Sequence, residues 1–257
     1  MRLTLDYLGE SVTTTKQATD ATREYVRLIE AVVASGIERN ISLKLSQLGL
    51  AVDRATCIDN MRRILEPAER HEFFVRIDME GSSYTELTLE VFETLWNLEH
   101  RRIGVVLQSC LHRTEQDLRR MNELGVRIRL VKGAYREPPA VAHQQKADVV
   151  GAYLRQMRLL LDHGVYPAFA THDEAILQEI KSYAAERHVA RDRYEFQMLY
   201  GIRRDLQASF VADGYHMRVY VPFGREWFPY FMRRLGERPA NVMFVIRALL
   251  GEKRRPT

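Results

Sequence analysis

Two adjacent arginines near the end of the chain lie on what their spacing predicts to be one helical face. The face comprises Tyr230, Arg233, Arg234 and Glu237, and positions i, i+3, i+4 and i+7 of a helix share one side. Two guanidinium groups so placed can grip a carboxylate or a phosphate through paired N–H donors. The alternative is a solvated surface stripe in which Glu237 simply pairs with Arg233.

A second candidate is Arg129, which lies near the end of an apolar segment and begins the run RLVKGAY at 129–135. A strand here would place Arg129 in a largely apolar interior, where an unpaired charge is costly. Two partners fit. One is Asp78, in a buried structural ion pair, and the other is the electron-rich edge of a cofactor. Gly133 and Ala134, which follow the segment, are small and let a ligand approach the backbone.

Metal and covalent chemistry fit the sequence less well. Only Asp78, Glu80 and His172 could act as ligands near strand ends, and there is no H-x-H or H-E-x-x-H motif. No G-x-S-x-G motif is present, and Cys110 has only His112 nearby as an activating base. We therefore expect no metal and no covalent acyl intermediate.

The elements that must position these residues are predicted by alternation along the chain. Eight short apolar runs are each followed by a segment of helical period. The predicted strands cover residues 3–8, 41–45, 73–77, 104–107, 126–131, 166–170, 194–198 and 218–221. Such alternation requires parallel pairing, and eight units in about 250 residues is the size of a (β/α)₈ TIM barrel. The rival, an open doubly wound sheet, lacks its G-x-G-x-x-G motif after the first strand. We predict one α/β domain over residues 1–257.

Helix boundaries can also be predicted. Asp53 and Thr114 are suitable N-cap residues. Glycines are expected where helices end, at Gly36, Gly125 and Gly164.

A barrel keeps its site at the carboxyl ends of its strands, so the residues just after each apolar run are the candidates. They are Glu10, Lys44, Asp78, Glu80, Gln108, Arg129, Lys132, Tyr135, Thr171, His172, Asp173, Gln197, Tyr200, Tyr220 and Arg225. Ordinary structural roles stay open for two of them. His172 could help to cap a helix that starts at Asp173, and Gln108 could be a buried core amide.

Composition limits the class of protein. The 257 residues are 46% hydrophobic and 28% charged, which excludes a largely disordered chain. No run of 18 apolar residues and no secretory leader is present, and two cysteines suit a reducing compartment, so a cytoplasmic protein is expected. The net charge is +4, but the arginine pairs stand among acids on helical patterns. Solvated helix faces are therefore favoured over a nucleic-acid surface.

Seven strings of the sequence, in order, resemble proline dehydrogenase, the flavin enzyme, and most closely its small monofunctional bacterial form. They are ISLKLS at 41–46, VRIDME at 75–80, VLQS at 106–109, RLVKGAY at 129–135, FATHD at 169–173, YEFQMLYG at 194–201 and YFMRR at 230–234. Together they span nearly the whole chain, and seven motifs in the same order are improbable by chance.

This resemblance implies a distorted (β/α)₈ barrel, with the final helix packed over its carboxyl-end mouth, that holds FAD. The implied activity is oxidation of L-proline to Δ1-pyrroline-5-carboxylate, the first step of proline catabolism, by hydride transfer to the flavin N5. Electrons would then pass to a membrane quinone, which leaves open a peripheral contact with the inner face of the cell membrane. No nucleic acid and no metal is implied.

The resemblance also implies roles for individual residues. Those implied at the substrate are Lys44, Tyr135, Leu199, Tyr220, Tyr230, Arg233 and Arg234, with the lysine and the two arginines on the carboxylate. Those implied at the cofactor are Asp78, Met79, Gln108, Arg129, Lys132, Gly133, Ala134, Thr171 and His172. Among these, Asp78 and Arg129 are the expected catalytic pair. A tyrosine at position 220 goes with proline in the family, and a smaller residue goes with hydroxyproline.

One departure from the family pattern concerns the start of the chain. Members usually carry helices before the first strand, whereas here that strand is predicted directly after Met1. The oligomeric state, the protection of the barrel bottom and the retention of cofactor are therefore open. Two other classes also stay open. They are a metal-dependent lyase or hydrolase that uses Asp78, Glu80 and His172, and a polyanion-binding barrel that uses the arginine pairs.

Overall fold

The computed structural model describes residues 1–9 and 12–224. Eight parallel strands close on themselves in chain order. They are β1 (Arg2–Tyr7), β2 (Asn40–Leu43), β3 (Phe74–Ile77), β4 (Ile103–Gln108), β5 (Arg127–Val131), β6 (Ala168–Ala170), β7 (Glu195–Leu199) and β8 (His216–Phe223). The helices between them are α1 (Thr15–Ser35), α2 (Arg54–Arg70), α3 (Ser82–Asn97), α4 (Thr114–Glu123), α5 (Lys146–His163), α6 (Glu174–Glu186) and α7 (Arg204–Ala212). The predicted (β/α)₈ TIM barrel is confirmed, while the final helix expected over its mouth lies outside the described residues.

Two strands differ from their predicted bounds for reasons that the structure shows. β6 is shorter than predicted because Tyr166 has a left-handed backbone, with φ of +48°, and Pro167 has no N–H to donate to a neighbouring strand. β8 is longer than predicted because it pairs with β7 on one side and with all of β1 on the other. That second pairing closes the barrel.

The helix ends follow the predicted chemistry with one exception. The Asp53 side chain accepts a hydrogen bond from the first turn of α2, and Gly36 ends α1 with φ of +70°, as predicted. Thr114 is not an N-cap, because Arg113 occupies that position. The Thr114 hydroxyl is buried and donates to the Gln108 carbonyl, so it ties α4 to the end of β4. The other predicted end glycines follow α4 and α5, at Gly125 and Gly164.

The apolar core lies between the barrel wall and the surrounding helices. Outward-facing strand residues are fully buried there, including Ile41, Leu43, Val75, Ile77, Val105, Ile128, Leu130, Phe169 and Phe196. Burying one such side chain contributes roughly 1.5–3 kcal/mol. This layer supplies most of the driving force for folding and leaves the other face of each strand for the interior.

The interior of the barrel is polar, whereas barrels of this fold usually fill it with branched apolar side chains. The buried polar residues on or beside the strands include Thr4, Asp6, Ser42, Arg76, Asp78, Gln108, Arg129, Glu195, Gln197 and Arg218. Arg129 on β5 contacts Ser42 on β2, so these side chains meet across the interior. Buried charges are costly unless they are paired. Two of the interior arginines are accordingly held in ion pairs, Arg129 with Asp78 and Arg218 with Glu195.

One of these ion pairs lies toward the amino-terminal ends of the strands. Arg218 donates to both carboxylate oxygens of Glu195, at 2.8 and 3.0 Å, and also to Glu38 at 3.0 Å. Burial acts to raise the pKa of Glu195, but the Arg218 charge and hydrogen bonds outweigh it and hold that pKa below its usual value. The pair therefore stabilises the folded state when Glu195 is ionised.

We expect Glu195→Gln to lower the free energy of unfolding by about 3 kcal/mol at neutral pH, because Arg218 loses a buried counter-charge. Since the folded pKa of Glu195 lies below its unfolded value, this stabilisation is present above the unfolded pKa and is lost as the pH falls through the folded pKa. The variant should therefore lose part of its acid sensitivity. Urea unfolding at neutral and acid pH measures both effects.

A matched control is Glu66→Gln, since Glu66 is 75% exposed and pairs with Arg70 on the surface of α2. Its free energy of unfolding should change by less than about 1 kcal/mol. Equal stability of the Glu195 and Glu66 variants would contradict a stabilising role for the interior pair.

Two of the arginine pairs noted in the sequence, at 62–63 on α2 and 119–120 on α4, lie on helix faces among acids. Examples are Arg63 with Asp59 at 2.8 Å and Arg119 with Glu115 at 2.9 Å. These contacts support the prediction of solvated helix faces. Within residues 1–9 and 12–224, no helix is both long and apolar enough to cross a lipid bilayer.

Candidate active site

Four of the predicted site residues meet at the carboxyl ends of the strands. Lys44 follows β2, Asp78 follows β3, Arg129 lies on β5 and Tyr220 lies on β8. The barrel brings together strands that are far apart in the chain, because side chains on alternate strand positions point inward. The cluster that results is largely buried.

Asp78 is at the centre of this cluster. Its Oδ1 accepts a hydrogen bond from Arg129 Nη1 at 2.5 Å, and its Oδ2 accepts one from the Tyr220 hydroxyl at 2.7 Å. Lys44 Nζ lies 3.9 Å from Oδ2. One carboxylate thus orients an arginine and a tyrosine and attracts a lysine, so the structural ion pair considered for Arg129 is present.

Arg129 is held on several sides and still has one donor available. Its Nη2 donates to the Ser42 hydroxyl at 2.9 Å, and its guanidinium carbon lies 5.3 Å from the centre of the Tyr220 ring. Its Nε is buried and has no hydrogen-bond partner within the described part of the chain. A buried donor without a partner costs free energy. An acceptor on a bound molecule would remove that cost.

Asp6 completes the cluster, although sequence reasoning did not single it out. Lys44 Nζ donates to Asp6 Oδ2 at 3.0 Å, and Asp6 is fully buried. Burial raises the pKa of Asp6, against the opposing effect of the Lys44 charge. Burial and the charges of Asp6 and Asp78 also raise the pKa of Tyr220, so the Tyr220 hydroxyl stays protonated and donates. The negative charges of the two aspartates in the cluster are thus balanced by the positive charges of Lys44 and Arg129.

A signal for Asp6 is present in the sequence. Polar and apolar residues alternate along β1, so Arg2, Thr4 and Asp6 fall on the same face of the strand. Selecting the residue that follows the strand pointed instead to Glu10, which lies outside the described residues. Asp6, the inward-facing residue of β1 that lies nearest the mouth, is within the strand and does not follow it.

The loops after β5 and β6 are linked by an ion pair at the rim of the barrel. Lys132 Nζ donates to Asp173 Oδ2 at 2.6 Å. This hydrogen bond and the lysine charge lower the pKa of Asp173, against a smaller opposing effect of burial. The loop carrying Lys132 to Tyr135 is therefore anchored at its start.

His172 links two other rim segments. Its Nε2 accepts a hydrogen bond from the backbone N–H of Leu199, at 3.0 Å, which implies a proton on Nδ1. The alternative in which His172 helps to cap α6 is wrong, because Asp173 is the N-cap and accepts from the Ala175 N–H at 3.2 Å. His172 instead fixes the end of β7.

Gly133 is required by its surroundings. Its φ is +108°, and a Cβ atom there would lie 2.3 Å from the Cys110 sulfur. The side-chain oxygen of Gln108 would lie 3.5 Å from the same Cβ atom. The side-chain amide N–H of Gln108 donates to the backbone carbonyl of Glu80 at 2.9 Å. Gln108 is thus a buried, hydrogen-bonded amide that faces the small-residue rim. The backbone at Gly133 is therefore not covered by a side chain of its own at the barrel mouth.

The three residues of the metal alternative are engaged in different contacts. Asp78 binds Arg129, Glu80 accepts from the backbone and hydroxyl of Ser46, and His172 accepts from Leu199. Across the described ranges, no three His, Cys, Asp or Glu side chains form a group that could hold a metal ion.

The predicted site residues therefore fall into three sets. Those in the buried cluster are Lys44, Asp78, Arg129 and Tyr220. Those on the segments around it are Met79, Gln108, Lys132, Gly133, Ala134, Tyr135, Thr171, His172 and Leu199. Those outside the described residues are Glu10, Arg225, Tyr230, Arg233, Arg234 and Glu237.

Comparison with known proteins places this geometry in a family. The family model described as "Proline dehydrogenase" matches residues 1–247. The chain is 40% identical over 249 residues to proline dehydrogenase 2 of Bacillus subtilis strain 168, covering 97% of this chain and 82% of that protein. It is 42% identical over 252 residues to the proline dehydrogenase of Deinococcus radiodurans, covering 96% of this chain and 81% of that one.

A solved structure agrees with both sequence matches. Proline utilization A (PutA) from Bdellovibrio bacteriovorus, inactivated by N-propargylglycine, superposes with a TM-score of 0.85 at 28% identity. The match covers 91% of this chain and 30% of that longer protein. The fold and the family-model match over nearly the entire chain lead to one conclusion: this chain belongs to the proline dehydrogenase family.

Proposed function

We propose that this chain is a single-domain proline dehydrogenase that uses FAD to oxidise L-proline to Δ1-pyrroline-5-carboxylate and passes the electrons to a membrane quinone. The observation that carries the proposal is the buried cluster of Asp78, Arg129, Tyr220 and Lys44 at the barrel mouth, in a chain of this family. The domain is proposed to span residues 1–257. Transfer to a quinone would bring the protein to the inner face of the cell membrane as a peripheral protein.

The residues present at the mouth fit FAD. The Arg129 Nε is a buried donor without a partner in the described ranges, and Gly133 leaves the backbone open to a close approach. The residues that would hold the cofactor are Asp78, Met79, Gln108, Arg129, Lys132, Gly133, Ala134, Thr171 and His172. FAD, when bound, supplies the two-electron acceptor that no side chain can provide.

The chain's own residues then bind, orient and shield the substrate. Arg129 is a fixed cation at the mouth, and a preorganised positive charge stabilises negative charge that develops beside it. Lys44, together with Arg233 and Arg234, is proposed to hold the substrate carboxylate and so present one C–H bond for transfer. Apolar and aromatic walls would exclude water from the small ring, and the proposed residues are Tyr135, Leu199, Tyr220 and Tyr230.

Flavin absorbance tests the proposal directly. The purified protein, reconstituted with FAD if needed, should be yellow and should bleach when L-proline is added without oxygen. A soluble quinone analogue should restore the colour, and phospholipid vesicles containing quinone should do so with the protein bound to them. N-propargylglycine, which inactivated the Bdellovibrio PutA, should also inactivate this protein. Failure to bind FAD, or FAD that L-proline leaves oxidised, would contradict the proposed function.

We expect Asp78→Ala to lower turnover per bound flavin about tenfold or more, because Arg129 and Tyr220 lose the carboxylate that orients them. Turnover, flavin content and melting temperature should be measured together. Glu195→Gln is the matched control, since it removes a buried interior carboxylate from the other end of the barrel. A variant that only melts earlier, with normal turnover per flavin, would leave Asp78 a purely structural role.

A further inference from the structure

Asp6 has the most enclosed charge in the mouth cluster. It is fully buried, and its Oδ2 accepts a hydrogen bond from Lys44 Nζ at 3.0 Å. Its Oδ1 makes no hydrogen bond of normal length to any described residue. Burying a carboxylate so completely costs free energy unless an opposite charge is paired with it. The partner is a residue proposed to bind substrate.

Lys44 lies between two carboxylates, those of Asp6 and Asp78, that have different hydrogen-bond partners. Asp6 is 3.0 Å from its Nζ, and Asp78 is 3.9 Å away. Both oxygens of Asp78 already accept hydrogen bonds, from Arg129 and from Tyr220. A lysine ammonium on its flexible stem moves easily toward the nearest acid. Without Asp6, the nearest acid in the cluster is Asp78.

We propose that Asp6 is a positioning residue that keeps the Lys44 ammonium away from Asp78. Lys44 can then bind the substrate carboxylate, while Asp78 accepts hydrogen bonds from Arg129 and Tyr220. This inference rests on the proposed function. It assigns a role in the reaction to a residue of β1 that touches neither substrate nor cofactor in the proposed arrangement. In this proposal Asp6 acts through Lys44, to which it is hydrogen-bonded.

The groups that face Asp6 come from four elements. They are Lys44 after β2, Asp78 after β3, Tyr220 on β8 and Tyr25 on α1. Tyr25 is fully buried, and its hydroxyl donates toward Gln47 and the Ser42 carbonyl. Lys44 is the cation that is hydrogen-bonded to Asp6, so its position should respond most when Asp6 changes.

The sign of the effect separates positioning from simple electrostatics. Removing a negative charge near an anion site should, by Coulomb's law alone, tighten the binding of a carboxylate. Loss of the group that orients Lys44 should weaken it. Asp6→Asn therefore gives opposite outcomes under the two explanations, while its size stays almost unchanged.

The experiment combines Asp6→Asn and Lys44→Met in a double-mutant cycle. The measured quantities are kcat/KM for L-proline and the dissociation constant of cyclopentanecarboxylate, a proline-shaped carboxylate that has no amine to oxidise. We expect Asp6→Asn to weaken both about tenfold, a typical coupling for residues in one ion-pair network. In the Lys44→Met background the same substitution should have no further effect, because the residue through which Asp6 acts is gone.

Two further variants protect the test against misfolding. Asp6→Glu keeps the charge but moves the carboxylate by one methylene group, so it should give a smaller loss without leaving Lys44 unpaired. Glu195→Gln removes a buried acid at the other end of the barrel and should leave both constants unchanged in the folded fraction. Tighter carboxylate binding by Asp6→Asn, or losses that multiply in the double variant, would overturn the inference.

The same measurements keep the two proposals apart. A wild-type protein that does not reduce its flavin with L-proline would refute the proposed function. An active wild type whose Asp6→Asn variant shows normal kcat/KM and normal carboxylate binding would refute only the role of Asp6.

Discussion

Replacing Arg129 by Met should lower turnover about a hundredfold, the usual loss when one preorganised charged donor is removed from beside developing charge. The bound flavin should also become harder to reduce, with a more negative midpoint potential. Both effects follow from the position of the guanidinium, which Asp78 and Ser42 hold at 2.5 and 2.9 Å and whose Nε has no partner among the described residues. A fixed cation so placed stabilises the added electrons.

The fold should tolerate this substitution. Met is close to Arg in length and can follow the path of its aliphatic stem, and Asp78 keeps the Tyr220 hydroxyl and the nearby Lys44 as partners. Stopped-flow reduction by L-proline and a redox titration of the flavin measure the two expected changes, with the melting temperature as a check on folding. Arg129→Lys should recover only part of the activity, because a point charge cannot bond Asp78 and Ser42 together. Unchanged potential and turnover in Arg129→Met would remove Arg129 from this role.

Replacing Arg234 by Met should have an effect of similar or greater size, on the substrate rather than on the flavin. Removing one partner of a buried charged pair costs roughly 2–5 kcal/mol, or about 30- to several-thousand-fold in affinity. Arg233 and Arg234 lie outside the described residues, and their adjacency in the sequence is what supports this expectation. Two adjacent guanidinium groups repel one another unless an anion lies between them, and the proline carboxylate supplies one.

The expected result is a large fall in kcat/KM for L-proline with unchanged flavin content, because the pair addresses the substrate and not the cofactor. Lysine at the same position should not restore activity, since it lacks the two-pronged donor geometry. Arg63→Met is a suitable control, because Arg63 is exposed and pairs with Asp59 on α2. Near-normal kcat/KM in the Met variants at both positions would return these arginines to the surface-stripe alternative.

Local sequence patterns predicted the barrel because they depend on near neighbours. Apolar runs alternating with helical segments determine which residues are strands, and parallel strands joined by helices close into a barrel at eight units. The strand-end rule then selected Lys44 and Asp78, which directly follow β2 and β3. It also selected Tyr220 from the end of the predicted strand, although β8 continues to Phe223. Asp53 as a helix cap was predictable for the same reason, because a cap involves only the next turn.

Only the tertiary structure decided which partner each polar side chain would find. Threonine is a common helix-capping residue, but the Thr114 hydroxyl donates to the carbonyl of Gln108 at the end of β4. His172 accepts a hydrogen bond from Leu199 and does not cap the neighbouring helix α6. Asp6 was missed because its role depends on a lysine 38 positions away that the closed barrel brings to 3.0 Å. Spacing along the chain gives the face on which a residue lies. Which charges then meet inside the barrel depends on strand register and on the cost of burying any of them unpaired.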